Sequence, residues 1–124
     1  MAKKILVIDD EELIIKSLSK LLEKNGYEVF VAKNGQDAIV MAEEDNFDLI
    51  LADIRIPGMT GVEAVECIYN GMSAKRKRKI PAIFITGYAD PAIEEKTKEL
   101  NPAAYIYKPF DAEFLLEKIK KAIG

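Results

Sequence analysis

Five short and almost continuously apolar runs, at residues 4–9, 28–32, 48–53, 80–86 and 103–107, alternate with stretches whose apolar residues recur three or four positions apart. Runs this short, rich in Ile, Val, Phe and Tyr, read as strands covered on both faces. Strands joined through helices pair in parallel with right-handed crossovers. The alternation therefore predicts an α/β chain, an open doubly wound parallel sheet of five strands with five helices.

The intervening stretches carry their own start and stop signals. In the first, Leu13 or Ile14, Leu18, Leu21 and Leu22 form an apolar stripe opposite Lys16, Lys20, Glu23 and Lys24, and Asn25-Gly26 ends it. The second is expected from about Gly35 to Glu44 through Ala38, Ile39 and Ala42, and the third from Val62 to Asn70 through Val65 and Ile68, with Gly71 as its stop. Asp90 caps the fourth ahead of Pro91 at its first position. Asp111 opens the fifth, which should bury Phe114, Leu115, Ile119 and Ala122, with Phe110 stapled to Leu115 across the cap.

With 124 residues and 49% hydrophobic content, the expectation is one domain over 1–124 with a single buried core. Met1-Ala2-Lys3-Lys4 leads straight into a run too brief for a signal peptide or a membrane span, so a cytoplasmic protein without membrane insertion is expected. The single cysteine, Cys67, has no partner for an internal disulfide, and without histidine it cannot anchor zinc. A small helix residue beside the core is its expected role. The absence of histidine also excludes a catalytic imidazole, so any phosphohistidine in the chemistry would belong to a partner.

The chain has 18 basic and 21 acidic residues, a formal net charge of −3, and five of the basic residues sit together from Lys75 to Lys79. An acidic body with one basic tag lacks the spread of cations that a nucleic-acid surface needs, so no direct nucleic-acid binding is expected. The run reads as a solvated loop, with contact to a partner, RNA or a membrane as the alternative. It falls between a helix and a strand, on the sheet edge opposite the strand-to-helix loops.

Those strand-to-helix loops hold the chemistry. The first run ends on Asp9-Asp10, the third on Asp53, the fourth on Thr86, and the fifth on Lys108. In an open α/β sheet such ends gather at the carboxyl edge, where ligands bind at the point of strand-order reversal. Taken singly, each residue has an ordinary explanation: acids favour a helix start, Asp caps turns, Thr favours strands, and Lys is a solvated charge. Convergence is what makes them a site. Three carboxylates about 4–5 Å apart repel by several kcal/mol per pair at an effective dielectric near 20, and would take up protons unless a cation sat among them. Magnesium suits this donor set, because it takes oxygen ligands, keeps several waters and accepts one or two carboxylates plus phosphate oxygens.

Read together, the acid pair Asp9-Asp10, the stretch D-I-R-I-P-G-M-T-G from Asp53 to Gly61, Thr86-Gly87, and Tyr105-Ile106-Tyr107-Lys108-Pro109-Phe110 resemble the receiver domain of two-component response regulators, of the single-domain, chemotaxis-regulator-like kind. The resemblance covers the whole chain in the expected order. It implies a flavodoxin-like sheet in strand order 2-1-3-4-5. It also implies that Asp53 accepts a phosphoryl group from the phosphohistidine of a sensor histidine kinase or phosphotransfer protein, in a Mg2+-dependent reaction. Asp10, Asp53 and the backbone carbonyl of Arg55 would hold the metal, with Asp9 helping mostly through water. Lys108 would pair with the phosphoryl oxygens, the Thr86 hydroxyl would swing toward them, and Tyr105 would turn inward as an aromatic switch. A cis Lys108-Pro109 bond is implied too.

The output would then be conformational rather than enzymatic: a shift of the fourth helix, fifth strand and fifth helix toward a downstream effector or a second copy of the chain. That face carries Lys96, Lys98, Tyr105, Tyr107, Lys118 and Lys121, which suits an acidic or dimeric partner. The end at Gly124 fits either a single-domain regulator or a receiver followed by an effector domain. A dehalogenase-like phosphatase would want a second Asp where Arg55 stands, and a flavin- or nucleotide-binding module would not place Asp-Asp-Glu-Glu in its phosphate loop. The serious alternative is a degenerate receiver acting as a phosphorylation-independent scaffold. Two features depart from the pattern: the segment from Gly61 to Ile80 is longer than usual, and bulky Arg55 and Tyr88 stand two positions beyond Asp53 and Thr86, where they should lie over the phosphoryl site and slow attack by water.

Overall fold

The structure, a computed structural model, describes residues 2–124. Its strands are β1 (Lys4–Ile8), β2 (Glu28–Ala32), β3 (Leu49–Asp53), β4 (Ala82–Thr86) and β5 (Ala104–Tyr107). Its helices are α1 (Glu12–Lys24), α2 (Gly35–Glu44), α3 (Gly61–Ala74), α4 (Pro91–Lys98) and α5 (Ala112–Ile123). All strand pairs are parallel and the sheet order is β2-β1-β3-β4-β5, as the apolar alternation and the resemblance led us to expect.

Strand side chains alternate between two cores. Leu6, Ile8, Ile50, Ala52 and Phe84 face α2, α3 and the apolar side of α4, while Ile5, Val7, Leu49, Leu51, Ile83 and Ile85 face α1 and α5. Both faces are covered, which is why these runs are apolar at every position rather than at every second one. Each fully buried Ile or Leu contributes roughly 1.5–3 kcal/mol. The cores thus hold the sheet rigidly enough to position what lies at its ends.

Several details differ from expectation. Gly71 does not stop α3, which continues to Ala74 because Met72 packs against the α2/α3 core. The helix ends instead in a Schellman motif: Arg76 N–H donates to the Ser73 carbonyl at 3.0 Å and Lys77 N–H to the Met72 carbonyl at 2.8 Å. That motif places Arg76 in the left-handed region, at φ 56°, where glycine is usual. In α5 the inward positions are Leu115 and Ile119, whereas Phe114 lies a third of a turn away, 45% exposed, beneath the Lys118 ammonium. In α1 it is Ile14 that packs inward, and Leu13 is 80% exposed. Cys67 is exposed rather than set beside the core. Phe110 does join the cluster around Leu115, as the staple requires.

Candidate functional site

Strand register sets the site. Ile8 pairs with Ala52, so Asp9, the next residue, lies level with Asp53 at the end of β3. Asp53 pairs with Ile85, which puts Thr86 one step beyond it; Thr86 pairs with Tyr107, so Lys108 is a further step out and reaches back along its four-carbon stem. The acids after β1, Asp53 at the end of β3 and Lys108 after β5 thereby meet at one point, with the end of β4 beside them.

Asp9 and Asp53 are almost completely buried, while Asp10 is exposed. One carboxylate oxygen from each of these three residues lies within 4.8 Å of the others. Asp9 Oδ1 accepts the Glu11 N–H at 3.0 Å, and Asp53 Oδ1 accepts the Arg55 N–H at 3.2 Å. Lys108 Nζ donates to Asp53 Oδ2 at 2.9 Å and stands 3.6 Å from both Asp9 Oδ2 and Glu11 Oε1. Its backbone N–H donates to the Thr86 carbonyl at 2.7 Å, and its bond to Pro109 is cis.

Burial raises the pKa of Asp9, and it outweighs the lowering by the Glu11 N–H and the Lys108 ammonium. For Lys108 burial pulls downward, but the bond to Asp53 and the charges of Asp53, Asp9 and Glu11 overcome it, and its pKa is raised. One ammonium thus faces several acids. A divalent cation with hard oxygen ligands fits that excess of negative charge, and the exposed Asp10 leaves a side open to solvent for its waters.

The loop from Ile54 to Thr60 shapes the floor. Gly58, at φ 86°, makes a backbone turn that a side chain would strain, and a bridge between Arg55 and Thr60 closes the loop. Thr60 then starts α3 with a capping box to Glu63. Directly after it, Gly61 packs so tightly that a Cβ there would come within 2.1 Å of the Asp53 carbonyl oxygen.

Thr86 is at the site edge, but its hydroxyl is engaged elsewhere: it donates to the Tyr88 carbonyl and accepts the Tyr88 N–H, both at 3.1 Å. The Tyr105 ring packs against the α2/α3/α4 side of the sheet, edge-on to Tyr107, and its hydroxyl is buried with no hydrogen-bond partner. Burial, followed by the neighbouring Tyr107, Glu94 and Asp90, pushes the Tyr105 pKa up to about 12. Tyr107 remains outside, donating to Glu94 Oε1 at 2.9 Å, and Lys98 and Lys121 each pair with a carboxylate of their own helix. The face is therefore less cationic than its lysines alone suggest.

Two participants went unread in the sequence. Glu11, an acid at the start of α1, comes within reach of Lys108, and its place in the run Asp9-Asp10-Glu11-Glu12 is the available signal. Gly61 lies within the D-I-R-I-P-G-M-T-G stretch, but its close approach to the Asp53 backbone is visible only in the structure.

A sequence model of the response regulator receiver domain matches residues 5–120. The polar-differentiation response regulator DivK of Brucella anthropi is 34% identical over 124 residues, covering 100% of this chain and 98% of that protein. Among solved structures, a CheY-like response regulator receiver domain protein from Methanospirillum hungatei superposes with a TM-score of 0.90 at 33% identity, covering 99% of this chain and 94% of the other. The chemotaxis protein CheY4 of Vibrio cholerae gives 0.86 at 29% identity, over 98% and 99% of the two chains. Set beside the strand order and the acid cluster under Lys108, these likenesses place the chain in the family of response regulator receiver domains.

Proposed function

We propose that the chain accepts a phosphoryl group on Asp53 from a phosphohistidine of a sensor histidine kinase or phosphotransfer protein, and signals through a change of its α4/β5/α5 face. The observation that carries this reading is the Lys108–Asp53 contact at 2.9 Å inside a cluster of three carboxylates. A buried pair of this kind is a weak source of stability, since desolvation offsets much of its attraction. It is better suited to chemistry at Asp53.

A carboxylate oxygen of Asp53 attacks phosphorus, the P–N bond of the donor breaks, and its electron pair leaves with the imidazole, giving an acyl phosphate. Lys108 compensates negative charge on the transferred group, and the Thr86 hydroxyl donates to it after leaving Tyr88. Asp10, Asp53 and the Arg55 backbone carbonyl would hold Mg2+, with Asp9 assisting through water. Bound there, magnesium would neutralise charge on the phosphoryl oxygens. Departure of Thr86 from the turn after β4 frees space and hydrogen-bonding groups beside Tyr105, whose unpartnered hydroxyl makes it ready to repack. The readers of that change would be a downstream effector or a second copy of the chain.

The test is intact mass after incubation with magnesium and acetyl phosphate, beside an Asp53→Asn control. An acid-labile increment of one phosphoryl group that needs both magnesium and Asp53 is expected. No increment from acetyl phosphate or from phosphorylated kinases would overturn the reading in favour of a phosphorylation-independent scaffold.

A further inference from the structure

A cavity of about 750 Å³ opens at the amino edge of the sheet, the end opposite Asp53, between the C-terminal ends of α3 and α5 and the turn after α2. Its floor is mainly apolar, formed by Phe47, Met72, Ile80, Pro81 and Ile123. Both signs of charge stand on the rim, but they differ in occupation. Asp45 is bonded by the Lys4 ammonium at 3.1 Å, and Asp48 Oδ2 accepts the Lys4 backbone N–H at 2.7 Å. Lys77, Arg78 and Lys120 line the same cavity with no ion-pair partner among the described residues.

The loop that carries Lys77 and Arg78 is held in place. Lys79 donates to the Leu100 carbonyl at 2.8 Å and lies 4.5 Å from the Tyr69 ring centroid, and the Tyr69 hydroxyl donates to the Ile80 carbonyl at 2.6 Å. Arg76 occupies the left-handed position of the Schellman turn, where its side chain is locally unfavourable. The basic run is thus an ordered rim rather than a loose tail.

We propose that this groove binds an acidic peptide segment of a partner protein, with carboxylates on Lys77, Arg78 and Lys120 and apolar side chains on the floor. Charge complementarity argues for the class. Condensed phosphate is the poorer fit, because compact phosphate sites use helix N-termini or glycine-rich nests of N–H groups, and no helix N-terminus among the described residues borders this cavity. Carboxylates spaced along a peptide can meet separate cations around an apolar floor. The groove lies at the far edge from the acid cluster, so its occupation does not require Asp53 to be phosphorylated.

The test is fluorescence anisotropy of the full chain with a short fluorescein-labelled peptide of alternating Glu and Leu, set against its Gln and Leu counterpart. Saturable binding that weakens with salt is expected. It should fall by roughly tenfold or more in the triple variant Lys77→Gln, Arg78→Gln, Lys120→Gln, about 1.4 kcal/mol or more. A control that removes equal charge from α1, Lys16→Gln, Lys20→Gln, Lys24→Gln, should bind as the parent does, and magnesium-dependent phosphoryl uptake should be unchanged in both. Absence of binding, equal loss in both triple variants, or displacement by inorganic polyphosphate more readily than by unlabelled peptide would overturn the proposal, the last outcome in favour of a phosphate polyanion.

Discussion

The Arg55 guanidinium carbon lies 3.9 Å from the centroid of the Tyr88 ring, joining the loop after β3 to the loop after β4. Tyr88 also supplies both backbone groups that hold the Thr86 hydroxyl. One residue therefore touches the loop after Asp53 through its side chain and the proposed switch through its backbone.

An exposed cation–π pair contributes about 0.5–1 kcal/mol. If that energy keeps water from the acyl phosphate, Arg55→Ala or Tyr88→Ala should speed its hydrolysis about two- to fivefold. The check is the decay of the acid-labile mass increment after removal of donor. Unchanged decay in both variants would sink the idea that the pair shields Asp53.

Gly61 and Gly35 both lack room for a Cβ, but for different reasons. At Gly61 the obstacle is the Asp53 backbone, 2.1 Å from the added carbon to the carbonyl oxygen; at Gly35 it is the flexible Met59 side chain at 2.5 Å. Gly61→Ala should cost roughly 1–3 kcal/mol and slow phosphoryl uptake by displacing Asp53, whereas Gly35→Ala should be absorbed by Met59 at under about 1 kcal/mol. Urea unfolding midpoints beside uptake rates would decide. Equal behaviour of the two variants would refute the distinction.

Arg76→Gly should stabilise the chain by about 1 kcal/mol, since glycine adopts the left-handed conformation without the clash of a Cβ. A higher urea midpoint with an unchanged slope is the expected signature. A lower midpoint would mean that the Arg76 side chain makes compensating contacts.

At high pH two tyrosines should stand out. Burial pushes the pKa of both Tyr69 and Tyr105 up to about 12. A folded-state value above the unfolded one contributes stability that is whole below about pH 10 and is lost as pH rises toward the folded value. Tyrosinate absorbance should show late ionisations of which one is removed by Tyr69→Phe and another by Tyr105→Phe. The two variants should differ in stability: Tyr69→Phe loses the bond to Ile80, about 1 kcal/mol, while Tyr105→Phe removes a hydroxyl with no partner and should be neutral or stabilising. The Tyr107 pKa is raised as well, by its bond to Glu94, so it is the absence of any change in the late ionisations on Tyr69→Phe and Tyr105→Phe that would show the assignment to be wrong.

Much of the site was legible because it is written in strand ends. Asp9, Asp10, Asp53 and Lys108 each follow an apolar run, and parallel pairing brings such ends together whatever the crossover lengths. Glu11 was less visible, because an acid in the first turn of a helix has a sufficient local explanation and nothing local reports a lysine 97 positions away. Phe114 was misplaced for a related reason: the period of a short helix tolerates a shift of one residue, and only the position of the facing strands selects Leu115 and Ile119.

By itself the sequence determined the element order, the parallel pairing and the edge at which the polar residues meet, since these depend on short-range apolar periodicity and on the handedness of crossovers. Tertiary structure alone decided that α3 runs past Gly71 to a Schellman turn at Arg76, that Thr86 bonds to Tyr88 rather than facing Asp53, and that the Tyr105 hydroxyl is buried without a partner. The physical reason is that each of these outcomes is a competition between one local preference and packing contacts supplied from distant parts of the chain, and such contacts exist only once the sheet has closed.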